Sequence, residues 1–351
     1  MGLPILENVH KSPRHSTFYL SCGPKDGTPI IFCHGYPELA ISWSEQLQSF
    51  GNLGFRAIAP DMRGYGSSTI HPRKEDYALE HAIADMIELL DGIGAEKVVW
   101  VGHDMGTSVA WAMGRHHPER CHGVVNLGIP YIPAGFAPDN LIPLTNRKIY
   151  PADRYPAAQW DYWLHYIESF DEACASFDAD VGAFVRWLYR SGRSGTAADR
   201  EQPLFTATTR ANGGWFGKGK AAPDMPRDPA ILSEEEEHEY TAALTRNGFA
   251  APTSWYMNSA ANIAYAARAK DQWRLKMPVL YVHQELDFTI DGPSSPLLGP
   301  MREYCENLSE ESVIAGHWVS RENPTDLNAV LAKWLATRLP ALWAPRSTDH
   351  R

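Results

Sequence analysis

The sequence predicts an α/β fold: a mostly parallel central sheet covered by helices and interrupted by a helical insertion. Three observations carry that expectation. Short apolar runs alternate with helix-period segments up to residue 130, the rhythm stops between 131 and 269, and it resumes from 270 onward. The early runs TFYLSC (17–22), PIIFCHG (29–35), FRAIAPD (55–61), KVVWVGHD (97–104) and HGVVNLGI (122–129) are bounded by Gly, Pro or Asp and read as strands. Between two of them, Leu79, Ile83, Met86, Ile87 and Leu90 recur at helical spacing, with Gly92 and Gly94 as stop signals. Buried strands separated by helices form a parallel sheet with both faces covered.

After Pro130 the chain turns rich in Trp, Tyr and Pro, and shows no convincing strand. WDYWLHYIESF, DADVGAFVRWLYR and TSWYMNSAANIAYAARA read as helices. Ser233 and Glu236 stand in capping-box spacing, so the run Glu234–Glu237 reads as a solvated first turn favoured by the helix dipole. Strand rhythm returns in MPVLYVHQELD (277–287) and ESVIAGHW (311–318), and a last helix is expected from about 324 to 338, with Asn323 as N-cap and Pro324 at the first position. The expected organisation is a core from 1–130 and 270–351 with a helical lid at 131–269.

Composition narrows the class. With 44% hydrophobic and 11% aromatic residues the chain can bury a large core. A net charge of −10 argues against a nucleic-acid binder, which would carry a basic stripe. The start MGLPILENVHKSPRHS lacks the apolar core of a signal peptide, and no run of about 18 apolar residues marks a membrane span. Cys22, Cys33, Cys121, Cys174 and Cys305 are widely spaced and never C-x-x-C, which suggests reduced thiols without a zinc site. A cytoplasmic location is the expectation.

The chemistry centres on VGHDMGTSVAWAMG (101–114), a strand, a tight glycine turn and a small-residue helix. That is the layout of a nucleophile elbow, usually G-x-S-x-G, but a carboxylate, Asp104, occupies the serine position. Asp287 follows the strand VLYVHQEL and His317 follows VIAG, completing the order nucleophile, acid, histidine. Glu285 and Asp291 are alternatives for the acid. The turn in HGYPE can aim the N–H of Tyr36 at the site, and with the N–H of Met105 it would form an oxyanion hole.

HGYPE, DMRGYGSS, GHDMG, ELDFT and GHW followed by ENPTDL resemble the soluble-type epoxide hydrolases of the α/β-hydrolase fold. The resemblance runs from about residue 14 to the last helix and is looser in the lid. It implies that Asp104 opens an epoxide by direct attack, giving an ester that His317, oriented by Asp287, hydrolyses with water to a vicinal diol. It implies two lid tyrosines that donate to the epoxide oxygen. TSWYMN points to Tyr256, and HYIESFDEACASF to Tyr166, with Tyr162 and Tyr189 as competitors. Pro37, Phe288 and Trp318 are expected on the pocket wall. No metal or other cofactor has a role in this chemistry, the partner is a small apolar epoxide, and the N-terminal phosphatase domain of some relatives is not expected. Where the family commonly has tryptophan after the nucleophile, this chain has Met105, so its pocket wall is expected to differ there. A dehalogenase with the same Asp nucleophile is the rival reading, and a non-catalytic ligand-binding module is the rival from another class.

Overall fold

In the computed structural model, residues 2–192 and 202–343 are described. Eight strands form one sheet in the order β1-β2-β4-β3-β5-β6-β7-β8. They are β1 (Leu6–Lys11), β2 (Ser16–Cys22), β3 (Pro29–Cys33), β4 (Arg56–Pro60), β5 (Val98–His103), β6 (Cys121–Leu127), β7 (Leu275–Gln284) and β8 (Cys305–Val313). β1–β2 and β2–β4 pair antiparallel and every other pair is parallel, as expected of a mostly parallel sheet.

Strand periodicity divides the core into two layers. On β5, Val98 and Trp100 face the helices Leu79–Ile93 and Met105–His116, while Val99 and Val101 face the opposite layer. That second layer holds Leu47 and Phe50 of the helix Ser44–Asn52 and Leu331 and Trp334 of the helix Pro324–Arg338. Successive strand side chains point to opposite faces, so an unbroken apolar run serves both layers at once.

Two strands differ from the expectation. β1 was not foreseen, because LENVHK is exposed or half-exposed along its length and has no apolar face to show. β8 begins six residues before the predicted ESVIAG, since CENLSE is mostly polar and lies on the sheet's outer edge. The helix expected to stop at Gly92 or Gly94 ends with Gly94 in the left-handed region at φ 70°, the usual exit from a helix.

Between β6 and β7 the described residues form helices and 3-10 turns without a strand. The Ser233–Glu236 capping box is present at the start of Glu234–Asn247. The stretch read as TSWYMNSAANIAYAARA is broken into Ala250–Ser254, a 3-10 turn Trp255–Met257 and Ser259–Ala266. Asn258 causes the break: its Nδ2 donates to Ser254 O and Lys74 O, taking a helical carbonyl for itself. Indole anchors then tie the segment down, Trp163 to Tyr256 O and Trp255 to Arg63 O.

All five cysteines are buried and free. Among the described residues, no helix is long and apolar enough to cross a membrane, and no cluster of His, Cys, Asp and Glu could hold a metal ion.

Two buried histidines make the fold acid-sensitive. Burial, then the Arg63 charge, pushes His15 down to about 3, and burial with the Arg115 charge does the same to His116. The unfolded chain protonates these rings near ~6.5 while the folded chain leaves them neutral, so the two histidines make stability fall as pH drops from ~6.5 toward 3. Urea midpoints measured from pH 7 to pH 5 should decline, and His15→Asn should flatten that decline; an unchanged slope would contradict the assignment.

Candidate active site

Because β3, β5, β7 and β8 run parallel, their carboxyl ends share one edge of the sheet, and the loops beyond them meet. The register pairs Cys33 with Gly102, which sets the turn after β3 beside the turn after β5. Asp104 occupies that second turn as the N-cap of the helix Met105–His116, with φ 48° and ψ −126°. A non-glycine residue held there costs about 1–3 kcal/mol and persists only where its surroundings enforce it.

The enforcing contacts are close. A Cβ on Gly106 would sit 2.2 Å from Cys33 O, and a Cβ on Gly35 would sit 2.3 Å from the Asp104 Cβ. Glycine at both positions lets the two turns touch. The Tyr36 N–H then donates to Asp104 Oδ1 at 2.7 Å. Met105 N–H is first in the helix and has no intrahelical acceptor, and the positive helix end favours a carboxylate at Asp104.

The other carboxylate oxygen, Asp104 Oδ2, lies 3.7 Å from His317 Nε2. His317 Nδ1 meets Asp287 Oδ2 at 2.8 Å, while Asp287 Oδ1 accepts from the Thr289 N–H and hydroxyl at 3.0 and 2.7 Å. Of the three candidate acids, therefore, Asp287 is the partner of His317. Among the described residues, Asp291 Oδ2 is buried without a hydrogen-bond partner, and neither Asp291 nor Glu285 pairs with His317.

Burial alone would raise Asp287 and lower His317, but their mutual attraction outweighs it. The His317 charge and the hydrogen bonds from His317 and Thr289 hold Asp287 at about 2. The Asp287 charge and hydrogen bond, then the Asp104 and Glu38 charges, raise His317 to about 9. This differs from an ordinary imidazole, because three carboxylates act on one ring.

A cavity of about 410 Å³ opens over Asp104 and His317, walled by Tyr162, Tyr166, Tyr256 and Trp318. The Tyr256 ring lies 5.1 Å from that of Tyr166 and 5.9 Å from that of Tyr162. Burial pushes all three phenols well above their ordinary range, so they stay protonated as donors.

Tyr189 is set apart from them. It stacks on Trp318 at 4.4 Å, and its hydroxyl donates to Pro37 O. Pro37 consequently stands behind the wall, and Tyr36 faces the cavity in its place. Met105 is 5% exposed and does not line the cavity either, so the wall is built by other residues. The side chain of Phe288 lies outside the described residues.

Sequence reasoning missed a second buried pair. Glu38 Oε2 accepts from the Gly35 N–H at 2.9 Å and meets His103 Nδ1 at 2.8 Å, while His103 Nε2 meets His317 O at 2.7 Å. Burial would raise Glu38, but the His103 charge and hydrogen bond hold it at about 2. The signal was present in HGYPE and GHDMG: one ionisable residue ends an apolar strand and the other lies in the turn that follows one.

Comparison with known proteins identifies the family. The model of the α/β hydrolase fold family matches residues 28–324. Epoxide hydrolase A of Mycobacterium tuberculosis is 30% identical over 315 residues, covering 88% of this chain and 91% of that protein. Bifunctional epoxide hydrolase 2 of Sus scrofa is 29% identical over 312 residues, covering 89% of this chain and 52% of the relative. The chain thus spans about half the length of its mammalian relatives. Among solved structures, epoxide hydrolase A from Mycobacterium thermoresistibile superposes with a TM-score of 0.74 at 27% identity, covering 95% of this chain and 99% of that one. Potato (Solanum tuberosum) epoxide hydrolase I gives a TM-score of 0.74 at 25% identity with the same coverage. The chain belongs to the α/β-hydrolase fold family. Within that family its place is with the epoxide hydrolases.

Gly106→Ala tests the close approach. The added methyl meets backbone, which cannot swing aside, so a loss of about 1–3 kcal/mol is expected. A denaturant midpoint equal to the parent's would show that the turns do not need to touch.

Proposed function

We propose that the protein converts an epoxide and water to a vicinal diol through an ester on Asp104. The observation that carries this reading is the pairing at Asp104: Oδ1 is held by the Tyr36 N–H, while Oδ2 faces His317 inside a cavity walled by phenols. An epoxide carbon offers no carbonyl to trap, and a carboxylate can displace it from behind without a base removing a proton first. The alkoxide is a poor leaving group. Tyr166 and Tyr256 stabilise its developing charge by hydrogen bonding, and one of them donates the proton.

The ester that forms has its carbonyl on Asp104 itself. His317, oriented by Asp287, removes a proton from water as the water attacks that carbonyl. The oxyanion forms on Oδ1, where the Tyr36 N–H already waits and the Met105 N–H supplies a second donor. Collapse releases the diol and restores the carboxylate. In this account 131–269 acts as a lid whose aromatic residues, Trp318 of the core beside them, make an apolar pocket suited to a small organic epoxide. No step calls for a cofactor. The dehalogenase alternative would need donors for a halide near Asp104, commonly an indole after the nucleophile, and Met105 offers none.

The charge on His317 gives the two steps different pH responses. At rest its proton is held partly by the Asp104 charge, 3.7 Å away. Alkylation neutralises Asp104, removes that attraction and lets the ring lose its proton at lower pH. Rapid-quench measurements with styrene oxide should find hydrolysis rising with pH through an apparent pKa below the resting value of about 9. Hydrolysis that follows the resting value unchanged would contradict this coupling.

His317→Gln tests the reaction itself. It should slow turnover by a factor of about 10²–10⁴, the usual worth of a general base. The peptide containing Asp104 should meanwhile gain the mass of the epoxide. Turnover without such an adduct would sink the covalent route.

A further inference from the structure

The loop that carries His317 continues into the short helix Val319–Glu322, and three side chains of this stretch reach into the helical segment. Trp318 Nε1 donates to Leu188 O at 3.1 Å, and Arg321 pairs with Glu236. Glu322, only 6% exposed, accepts at both carboxylate oxygens. Its Oε2 takes the Gly316 N–H at 2.8 Å and the Gly192 N–H at 3.2 Å, and its Oε1 takes the Ser191 hydroxyl at 3.0 Å.

One carboxylate therefore grips the residue before His317 and the strap, residues 191–192, that leaves the helix Val181–Leu188. The two backbones are pressed together at that point. A Cβ on Gly192 would lie 2.5 Å from Gly316 Cα, and a Cβ on Gly316 would lie 2.6 Å from Gly192 Cα. Any side chain at either glycine would force the strap off the histidine loop.

Glycine at 316 gives the loop no side chain to fix its direction, so its hydrogen bonds must do so. On the carbonyl side, Gln284 Nε2 donates to Gly316 O at 3.2 Å and to His317 O at 2.7 Å, where His103 also binds. On the amide side the grip comes from Glu322. Without it the peptide at Gly316 can turn, and the imaging of that turn falls on the imidazole one residue later.

We propose that Glu322 is a positioning residue for the hydrolytic half of the reaction. It ties the histidine loop to the 191–192 strap, so that His317 is aimed at Asp104 while the strap is seated. This inference rests on the two-step reaction proposed above. Attack on the epoxide uses Asp104 and the phenols and does not need His317; hydrolysis does. Loosening the loop should therefore slow the second step selectively, which a general loss of folding would not do.

The experiment is rapid-quench analysis of wild type, Glu322→Leu and Ser191→Ala with styrene oxide, resolving alkylation from hydrolysis. Burst amplitude counts competent sites, so partial unfolding is separated from altered rates. Leucine fills much of the same volume but removes every acceptor, whereas glutamine would keep an oxygen for the Gly316 and Gly192 N–H groups and could donate to Ser191 Oγ. Glu322→Leu should slow hydrolysis about tenfold while alkylation changes by less than about twofold, since small misplacements of a catalytic group carry large rate penalties. Ser191→Ala removes one strap bond and should slow the same step by about threefold. Hydrolysis at the wild-type rate in either variant, or both steps falling together, would overturn the proposal. Should Glu322→Leu fail to fold, Ser191→Ala decides by the same criterion. A wild-type enzyme that forms no ester on Asp104 would instead overturn the reaction on which the inference rests.

Discussion

Everything at this site depends on the contact between the turn after β3 and the turn after β5. Asp104 is held at φ 48° because Gly106 lets the following helix begin against the Cys33 and His34 carbonyls. Gly35 makes the reciprocal allowance, bringing the β3 turn against the Asp104 side chain. From that contact comes the Tyr36 N–H bond that fixes one carboxylate oxygen and leaves the other toward His317. The sheet supplies the rest, since parallel register delivers Asp287 and His317 to the same edge. Local strain at one residue is thus sustained by packing among four strands.

Charge organises the site a second time. Two acid–imidazole pairs converge on His317, Asp287 through the ring and Glu38–His103 through the backbone carbonyl. Each carboxylate is stabilised as an anion by its imidazole despite burial. Together with Asp104 they raise His317, so the resting site holds a proton that the proposed hydrolytic step would have to release. In the proposed reaction, the negative charge with which Asp104 would open an epoxide also controls when its partner becomes a base. On that proposal, attack and hydrolysis would be ordered by electrostatics, without a moving part.

Much of this was legible in the sequence, for physical reasons. Fully buried parallel strands such as VVWVGH read as apolar runs, and the polar residue that ends each one marks the edge where chemistry can occur. Strands with little apolar content, β1 and the start of β8, gave no such signal. Asp104, Asp287 and His317 could be found from order and position, and Asp287 was separated from Asp291 by geometry alone. The pocket wall was harder to read. Pro37 and Met105 lie one residue from cavity-facing groups, and side-chain direction at a turn is not encoded in spacing. The break at Asn258, which precedes the turn carrying Tyr256, depends on a long-range bond to Lys74 O that no local pattern announces.

The most direct measurement is a single turnover with enzyme in excess over styrene oxide, in water enriched in heavy oxygen. If Asp104 forms the ester and water attacks its carbonyl, the first diol is unlabelled and the heavy oxygen appears in the Asp104 peptide. A labelled diol with an unlabelled peptide would mean that water opens the ring directly and that Asp104 is not the nucleophile.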